Sequence, residues 1–503
     1  MKQLSKSRYA RYRQCPKCLW MSVYKPEEEV VDPSTEARFE KGTEVGNLAK
    51  GLLGAYIDVS TEKDNGSLDL AAMMEKTQEC MAAGAENICE ASFSYEGNYC
   101  AVDILHRTDE GYAIYEVKSV SFPSFDGKAS KLGKFVPDVA YQKWVLTKCG
   151  INVTGTYLVC LNSDYVREGE LDINRLFVIN DIGEMIADEY AMVESNQAEA
   201  KRLLQETEEP EMDIWEGCKK PYDCGFFEHC SCHLPSPSVF DLYRMRFSDK
   251  LNYYRQGMVK IEDVKNEKLT SVRRIQVDSI LSNQPHIERD KIKAFLNGLS
   301  YPLYFLDFET MQMVVPEYDG TKVYQQITFQ YSLHIIEKEG GELIHKEHLG
   351  VSGTDTRRPL AEQLCKDIPM NVCTLAYNKA FECTRIKELA EWFPDLSEHL
   401  LNIRDNIKDL LDPFAAGQYY LPSMGGSFSI KRVLPSLFPD DPALDYHHLA
   451  GGVQNGNDAM NIFPMIQFME PEEQQKARKA LLEYCCLDTL AMVKVWQKLK
   501  SVI

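Results

Sequence analysis

Residues 101–120 read AVDILHRTDEGYAIYEVKSV and contain two strand-like runs, Tyr99 to Leu105 and Tyr112 to Val117. Successive side chains of a strand take opposite faces, so Glu116 and Lys118 project to one side and Val117 to the other. A hairpin between the runs brings Asp103 beside them. Two carboxylates and a lysine suit phosphodiester hydrolysis: the carboxylates hold Mg²⁺ and the lysine orients or helps deprotonate the attacking water. The strand ICEASFSY at 88–95 adds Glu90 as a third carboxylate. The helix expected over 138–149 carries Gln142 within reach of the same pocket, and GTYLVCL at 155–161 is a further strand. Residues 1 to about 85 read mainly as helix. In them Glu44, Val45, Leu48, Ala49, Leu52 and Leu53 form a stripe of 3.6-residue period that ends near Gly54.

A second group of carboxylates starts at YPLYFLDFET, 301–310, a strand with Asp307 and Glu309 on one face and Phe308 on the other. Ala376-Tyr-Asn378-Lys-Ala-Phe381-Glu382 follows, and later Tyr484-Cys-Cys-Leu-Asp488 within a helix expected over 472–500. Positions 484 and 488 share a helix face. Asp307, Glu309, Glu382 and Asp488 are thus candidates for a two-metal site taking Mg²⁺ or Mn²⁺, with Tyr484 holding the water and Asp405 and Asp409 as reserve ligands.

The chain has 503 residues, enough for two or three domains, and a net charge of −20 that argues against simple coating of nucleic acid. Its first 13 residues are locally basic (Lys2, Lys6, Arg8, Arg11, Arg13), either a phosphate-binding segment or a solvated helix face. No apolar run approaches membrane length and no secretory signal opens the sequence, so the expected location is the cytoplasm. Sixteen cysteines in a reducing compartment suggest metal ligation rather than disulfides. They cluster as Cys15-Pro-Lys-Cys18 and as Cys218-x5-Cys224-x5-Cys230 followed by Cys232; by spacing alone zinc and iron are equally good occupants. Residues 195–213 read as an exposed acidic helix, and LPSPS at 234–238 marks a boundary.

Over residues 5–232 the chain resembles the RecB-like branch of the PD-(D/E)xK nucleases, including CRISPR-associated exonucleases of that type. The resemblance rests on Cys15-Pro16, VDIL at 102–105, EVKS at 116–119, Gln142 on its helix and the cysteine cluster. It implies a four-iron four-sulfur cluster held by Cys15, Cys218, Cys224 and Cys230, with zinc as the alternative and Cys18 and Cys232 as spare thiols. One departure is Gly42-Thr-Glu-Val-Gly46, which has glycine where the family has a metal-binding histidine; Glu44 or Glu90 would compensate. Over about residues 300–500 the motifs, together with GSFSIKRVLPSLFP at 426–439, resemble the DnaQ-like DEDD exonucleases of the tyrosine subtype, with Glu382 where that family has aspartate.

These resemblances imply an α/β chain of two mixed-sheet nuclease domains, restriction-endonuclease-like (1–234) and RNase H-like (299–503), joined by a helical connector (235–298). The expected function is a bacterial metal-dependent nuclease acting on DNA, single-stranded or at ends, with RNA open for the second site. Tyr99, Phe308, Tyr377, Phe381 and Tyr484 either stack bases or pack in the core. A non-catalytic nucleic-acid-binding subunit is the alternative expectation, and a redox-responsive zinc or iron protein a third.

Overall fold

The computed structural model describes residues 3–30, 42–123, 132–449 and 451–503, so Lys2 of the basic segment lies outside the described residues. The fold is mixed α/β, and the chain divides into two compact units. The first comprises Met1–His233 and Val314–Gln325, the second Leu234–Met313 and Gln326–Ile503. The helices of 235–298 therefore belong to the second unit rather than standing apart.

The first unit is built on strands β1 (Leu4–Ser5), β2 (Ile57–Asp58), β3 (Asn87–Tyr95), β4 (Asn98–Arg107), β5 (Tyr112–Phe122), β6 (Val153–Asn162) and β7 (Phe177–Asp181). They pair in the order β2-β3-β4-β5-β6-β7, with β1 added to β4. β3, β4 and β5 form an antiparallel meander, whereas β5 and β6 are parallel. Helix Val136–Lys148 lies between them in sequence, the usual crossover for parallel neighbours. The period of two is visible in β6: Leu158 and Cys160 enter a core with Tyr9, Val139 and Tyr141, while Val159 and Leu161 enter another with Val45, Ala49 and Phe177. Val314, Val315 and Val323 complete the latter cluster, which is why this later stretch belongs to the first unit.

The expected stripe forms a helix over 42–49, with Val45 and Ala49 fully buried and Gly54 left-handed beyond it (φ 98°). The acidic helix differs from expectation. It spans Ala187–Leu203 and buries Val193, Gln197 and Ala200; the stretch ETEEPEMD after it is not helical. Repelling carboxylates and Pro210 disfavour continuation there.

The second unit contains β8 (His286–Ile287), β9 (Leu303–Met313), β10 (Gln325–Ile336), β11 (Leu343–Leu349), β12 (Cys373–Ala376), β13 (Ile407–Asp409) and β14 (Tyr419–Tyr420). Its main sheet runs β11-β10-β9-β12-β13, and β8 pairs with β14. β9, β12 and β13 are mutually parallel; β10 and β11 are antiparallel. Tyr304, Leu306 and Phe308 of β9 pack on helices Arg357–Asp367, Ala380–Trp392 and Ser397–Asp405. Leu303 and Phe305 face Met492, Val493 and Trp496 of helix Pro471–Ser501. That helix begins with Pro471, Glu472 and Glu473 and ends with Lys498 and Lys500, a charge order that favours its macrodipole. By the same alternation, Asp307 and Glu309 point toward it. No helix among the described residues is long and apolar enough to cross a membrane.

Candidate active sites

In the first unit the β4–β5 ladder runs from Arg107↔Tyr112 to Ile104↔Tyr115 and then opens. Asp103, next in register, accepts the Val117 backbone N–H through Oδ2 at 2.7 Å, so a side chain replaces the ladder and holds this carboxylate beside Glu116. Glu116 is buried and accepts from Lys6 Nζ (2.8 and 3.0 Å), Lys118 Nζ (2.9 Å) and Gln142 Nε2 (2.7 Å). Lys118 also reaches Asp138 Oδ2 at 2.6 Å, and Lys6 lies 3.8 Å from Asp103 Oδ1. Burial alone would raise the Glu116 pKa, but the charges of Lys118 and Lys6 outweigh it and bring it down to about 2. Asp103 goes the other way, pushed up to about 7 by burial and then by the charge of Glu116. The two carboxylates hold unlike protonation preferences, a pattern typical of functional sites.

Lys6 arrives through β1, which pairs parallel with β4 at Asn98 and Tyr99, and through Ser5, whose hydroxyl caps the following helix at Arg8 N–H. The rest of the basic segment is internally occupied: Arg11 pairs with Glu29 and Arg13 with Glu189. Among the described residues, Arg8 donates to Gln3 O at 2.6 Å, so each arginine of the segment has a partner within the unit. Glu90 takes a left-handed backbone (φ 59°), a conformation costing about 1 kcal/mol for a residue with a Cβ. Its carboxylate is near enough to feel Lys50 and Lys6, yet Glu90, Asp103 and Glu116 are not gathered as three ligand atoms within 4.8 Å. Gly46 offers no ligand where the resembled family has histidine.

In the second unit β9, helix Ala380–Trp392 and helix Pro471–Ser501 bring the four expected carboxylates into one electrostatic cluster. Asp307 is raised well above the usual carboxylate range by burial, then by the charges of Asp488, Glu309 and Glu382. Glu309 is raised by burial and Asp488, with Lys431 opposing. Glu382 is pushed up to about 8, mainly by burial with Asp409 adding, and its buried Oε2 has no hydrogen-bond partner. Tyr446 donates to Asp488 Oδ1 at 2.6 Å, and Tyr484 donates to the same carboxylate. The Tyr484 hydroxyl is thus turned to Asp488 here. The Cys485 thiol joins Asp307 and Glu309 in a set of ligand atoms within 4.8 Å. Lys431 Nζ lies 5.2 Å and 5.5 Å from the Tyr446 and Tyr484 rings.

The reserve ligands have other work. Asp405 is exposed and paired with Arg404 at 2.7 Å. Asp409 accepts the backbone N–H groups of Asn378, Lys379 and Leu411, fixing the start of the Glu382 helix. Among the aromatic candidates, Tyr99 and Phe308 are buried, Tyr377 donates to Phe428 O at 2.7 Å, and Phe381 is partly buried against the core of Ile386 and Leu389.

Cys15, Cys218, Cys224 and Cys230 line one cavity, walled by Trp215, Phe226 and Phe227. Cys18 lines it too and hydrogen-bonds to Cys224, which brings the Cys224 thiol down to about 7 despite its burial. Cys18 is thus buried beside the four expected ligands, whereas Cys232 is exposed and outside the cavity. No three of these sulfurs lie within 4.8 Å of one another.

Residues 304–429 match a family described as a domain of unknown function, DUF2779. Asp307, Glu309 and Glu382 fall inside the matched stretch; Tyr484 and Asp488 fall beyond it. The chain is also similar to an uncharacterized protein of Ureaplasma parvum serovar 3, 26% identical over 247 residues, covering 44% of this chain and 34% of that protein. The chain spans about a third of the length of the curated relative it matches.

The sequence offers Lys6 only as one of a basic segment, without its place at the Glu116 site, and does not single out Asp138, Cys485, Tyr446 or Lys431. Asp138 and Cys485 carried a signal: Asp138 is four residues before Gln142, and Cys485 three before Asp488, each sharing a helix face with its partner. Lys6, Tyr446 and Lys431 reach their sites through tertiary packing that no local spacing encodes.

Proposed function

We propose that the chain is a metal-dependent nuclease with two sites, a PD-(D/E)xK site in the first unit and a DEDD 3′→5′ exonuclease-type site in the second, on restriction-endonuclease-like and RNase H-like folds respectively. The observation that carries the proposal is the gathering of half-buried Asp307 with buried Glu309, Glu382 and Asp488 in one cluster where all four carboxyl pKa values are raised. Mutually repelling carboxylates out of water are costly without a cation, and a divalent ion reverses the sign of that interaction. Mg²⁺ or Mn²⁺ held by these four residues would supply hydroxide near neutral pH and charge to the phosphate. Tyr446 and Tyr484 orient Asp488, and Lys431 at the rim offers an ammonium to the nucleic-acid backbone.

In the first unit Glu116 serves as ligand, Asp103 as its partner, Lys118 as the group that orients water, and Gln142 as the donor that holds Glu116. A second reading applies to this site alone. Lys6 already supplies a positive charge to Glu116 and lies near Asp103, as expected of a site that binds nucleic acid without cutting it. The cysteines lining this cavity would hold a four-iron four-sulfur cluster, or zinc as the alternative, with Cys18 competing with Cys15 for the fourth position. Such a cluster would tie residues near 15 to residues near 224 and stabilise the unit as a clip does.

The deciding experiment incubates labelled single- and double-stranded DNA and RNA with Mg²⁺ or Mn²⁺, using wild type, Lys118→Ala, Asp307→Ala and the double variant. Degradation stopped by EDTA and by the double variant supports two sites. Loss only in Asp307→Ala assigns cutting to the second unit, and full activity in the double variant defeats the proposal.

A further inference from the structure

A second cluster of metal-ligating groups lies in the second unit, formed by His334, His345 and Cys486. The β10–β11 register sets His334 directly opposite His345, so both imidazoles leave one face of the hairpin, with ring centroids 4.6 Å apart. Helix Pro471–Ser501 lies on that face: Gln330 donates to Leu481 O at 2.8 Å, and Ser332 and Thr489 hydroxyls meet at 2.7 Å. Cys486 is three residues before Thr489 and shares its helix face. One ligand atom each from His334, His345 and Cys486 falls within 4.8 Å of the others.

We propose that His334, His345 and Cys486 bind a zinc-class divalent ion that pins the C-terminal helix to the β10–β11 hairpin. Neutral imidazoles and a thiolate select zinc-class ions over Mg²⁺, which prefers oxygen ligands. The outer contacts are those of a built site. His334 Nδ1 is held by Thr489 Oγ1 at 2.8 Å and His345 Nε2 by Ser332 Oγ at 3.0 Å, leaving the other nitrogen of each ring for a metal. An open pocket lined by His345, Cys486, Glu347 and Glu483 gives an entry path. On binding, the Cys486 S–H proton passes to solvent as the sulfur–metal bond forms; nothing is oxidised. The neighbouring Cys485 faces Asp307, and Tyr484 and Asp488 flank the pair, so the ion braces the turn that carries the carboxylate site. The inference does not depend on nuclease activity.

The test is metal analysis and Co²⁺ titration of the full chain. Wild type should hold one equivalent more than Cys486→Ser or His345→Asn, and the thiolate-to-cobalt absorption assigned to this site should be missing from both variants while Cys485→Ser retains it. Equal metal content and equal spectra in wild type and the two variants overturn the proposal. A measurement on wild type alone guards against misfolded variants: zinc should slow alkylation of Cys486, mapped by mass spectrometry, by at least about tenfold. Unchanged labelling of Cys486 also overturns it.

Discussion

Lys6 Nζ sits 2.8 Å from Glu116 Oε1, a contact spanning 110 residues of chain, in the same cluster as Asp103 and Lys118. The N-terminal strand and helix are thereby tied to the β4–β5 hairpin by a charge rather than by apolar packing alone. If Lys6 serves as the cation Asp103 and Glu116 share, Lys6→Met should cost about 3 kcal/mol in metal-free denaturant unfolding, because a buried carboxylate loses a partner. Mg²⁺ should restore most of that loss. A deficit that Mg²⁺ leaves untouched would show that Lys6 is purely structural.

At the second site Glu382 titrates near 8 instead of its ordinary 4.5. The folded state therefore binds this proton more tightly than the unfolded chain. The associated stability is complete below about pH 4.5 and is lost as the pH rises toward 8. Thermal melts in EDTA should show stability falling across that window, and added Mg²⁺ should raise the melting temperature more at pH 8 than at pH 5. Glu382→Gln should flatten the EDTA profile and weaken the Mg²⁺ effect. An Mg²⁺ shift independent of pH would remove Glu382 from the ligand set.

Asp307→Asn and Lys118→Ala are expected to lower cleavage by their own sites by on the order of 10²–10³-fold each, the usual loss of one charge-stabilising group. Product sizes on end-labelled strands should separate the contributions.

Lys431 contributes charge at the rim and is not placed among the ligands. Lys431→Ala should raise KM about tenfold with kcat nearly unchanged, and reduce the salt dependence of nucleic-acid binding by about one phosphate contact. A fall in kcat with unchanged KM would place Lys431 in the chemical step instead.

Protein purified anaerobically should be brown, and Cys224→Ser should lose both colour and melting temperature. Colourless wild-type protein with stoichiometric zinc at the cysteine cavity would exclude the iron–sulfur reading. Comparing Cys15→Ser with Cys18→Ser, by cluster retention, identifies the fourth ligand.

Much of this was legible in the sequence because strands and helices project side chains with fixed periods. Glu116 and Lys118, or Asp307 and Glu309, share a face by strand alternation, and Tyr484 and Asp488 by helical spacing. The face occupied by Gln142 also followed from its helix. What stayed hidden depends on where remote segments land. Nothing around Lys6 distinguishes it from Arg8 or Arg11 until β1 pairs with β4. Likewise, the alternating LIHKEHL of β11 is mostly exposed and gave no apolar signal, so the pairing of His345 with His334 emerges only from the register. The 3.6-residue stripe from Glu44 to Leu53 is helical only as far as Ala49, because the chain turns from residue 50 toward left-handed Gly54.

The excursion Val314–Gln325 has a practical corollary for anyone dissecting the molecule. Because Val314, Val315 and Val323 fill a core with Val45, Ala49 and Val159, a gene fragment ending at His233 leaves an uncapped apolar hollow. The complementary fragment carries a greasy loop stripped of its socket. Independent expression of the halves should therefore yield sticky, poorly behaved material unless that loop is grafted back onto the first half, so loss of activity on simple bisection would say nothing about which half cuts.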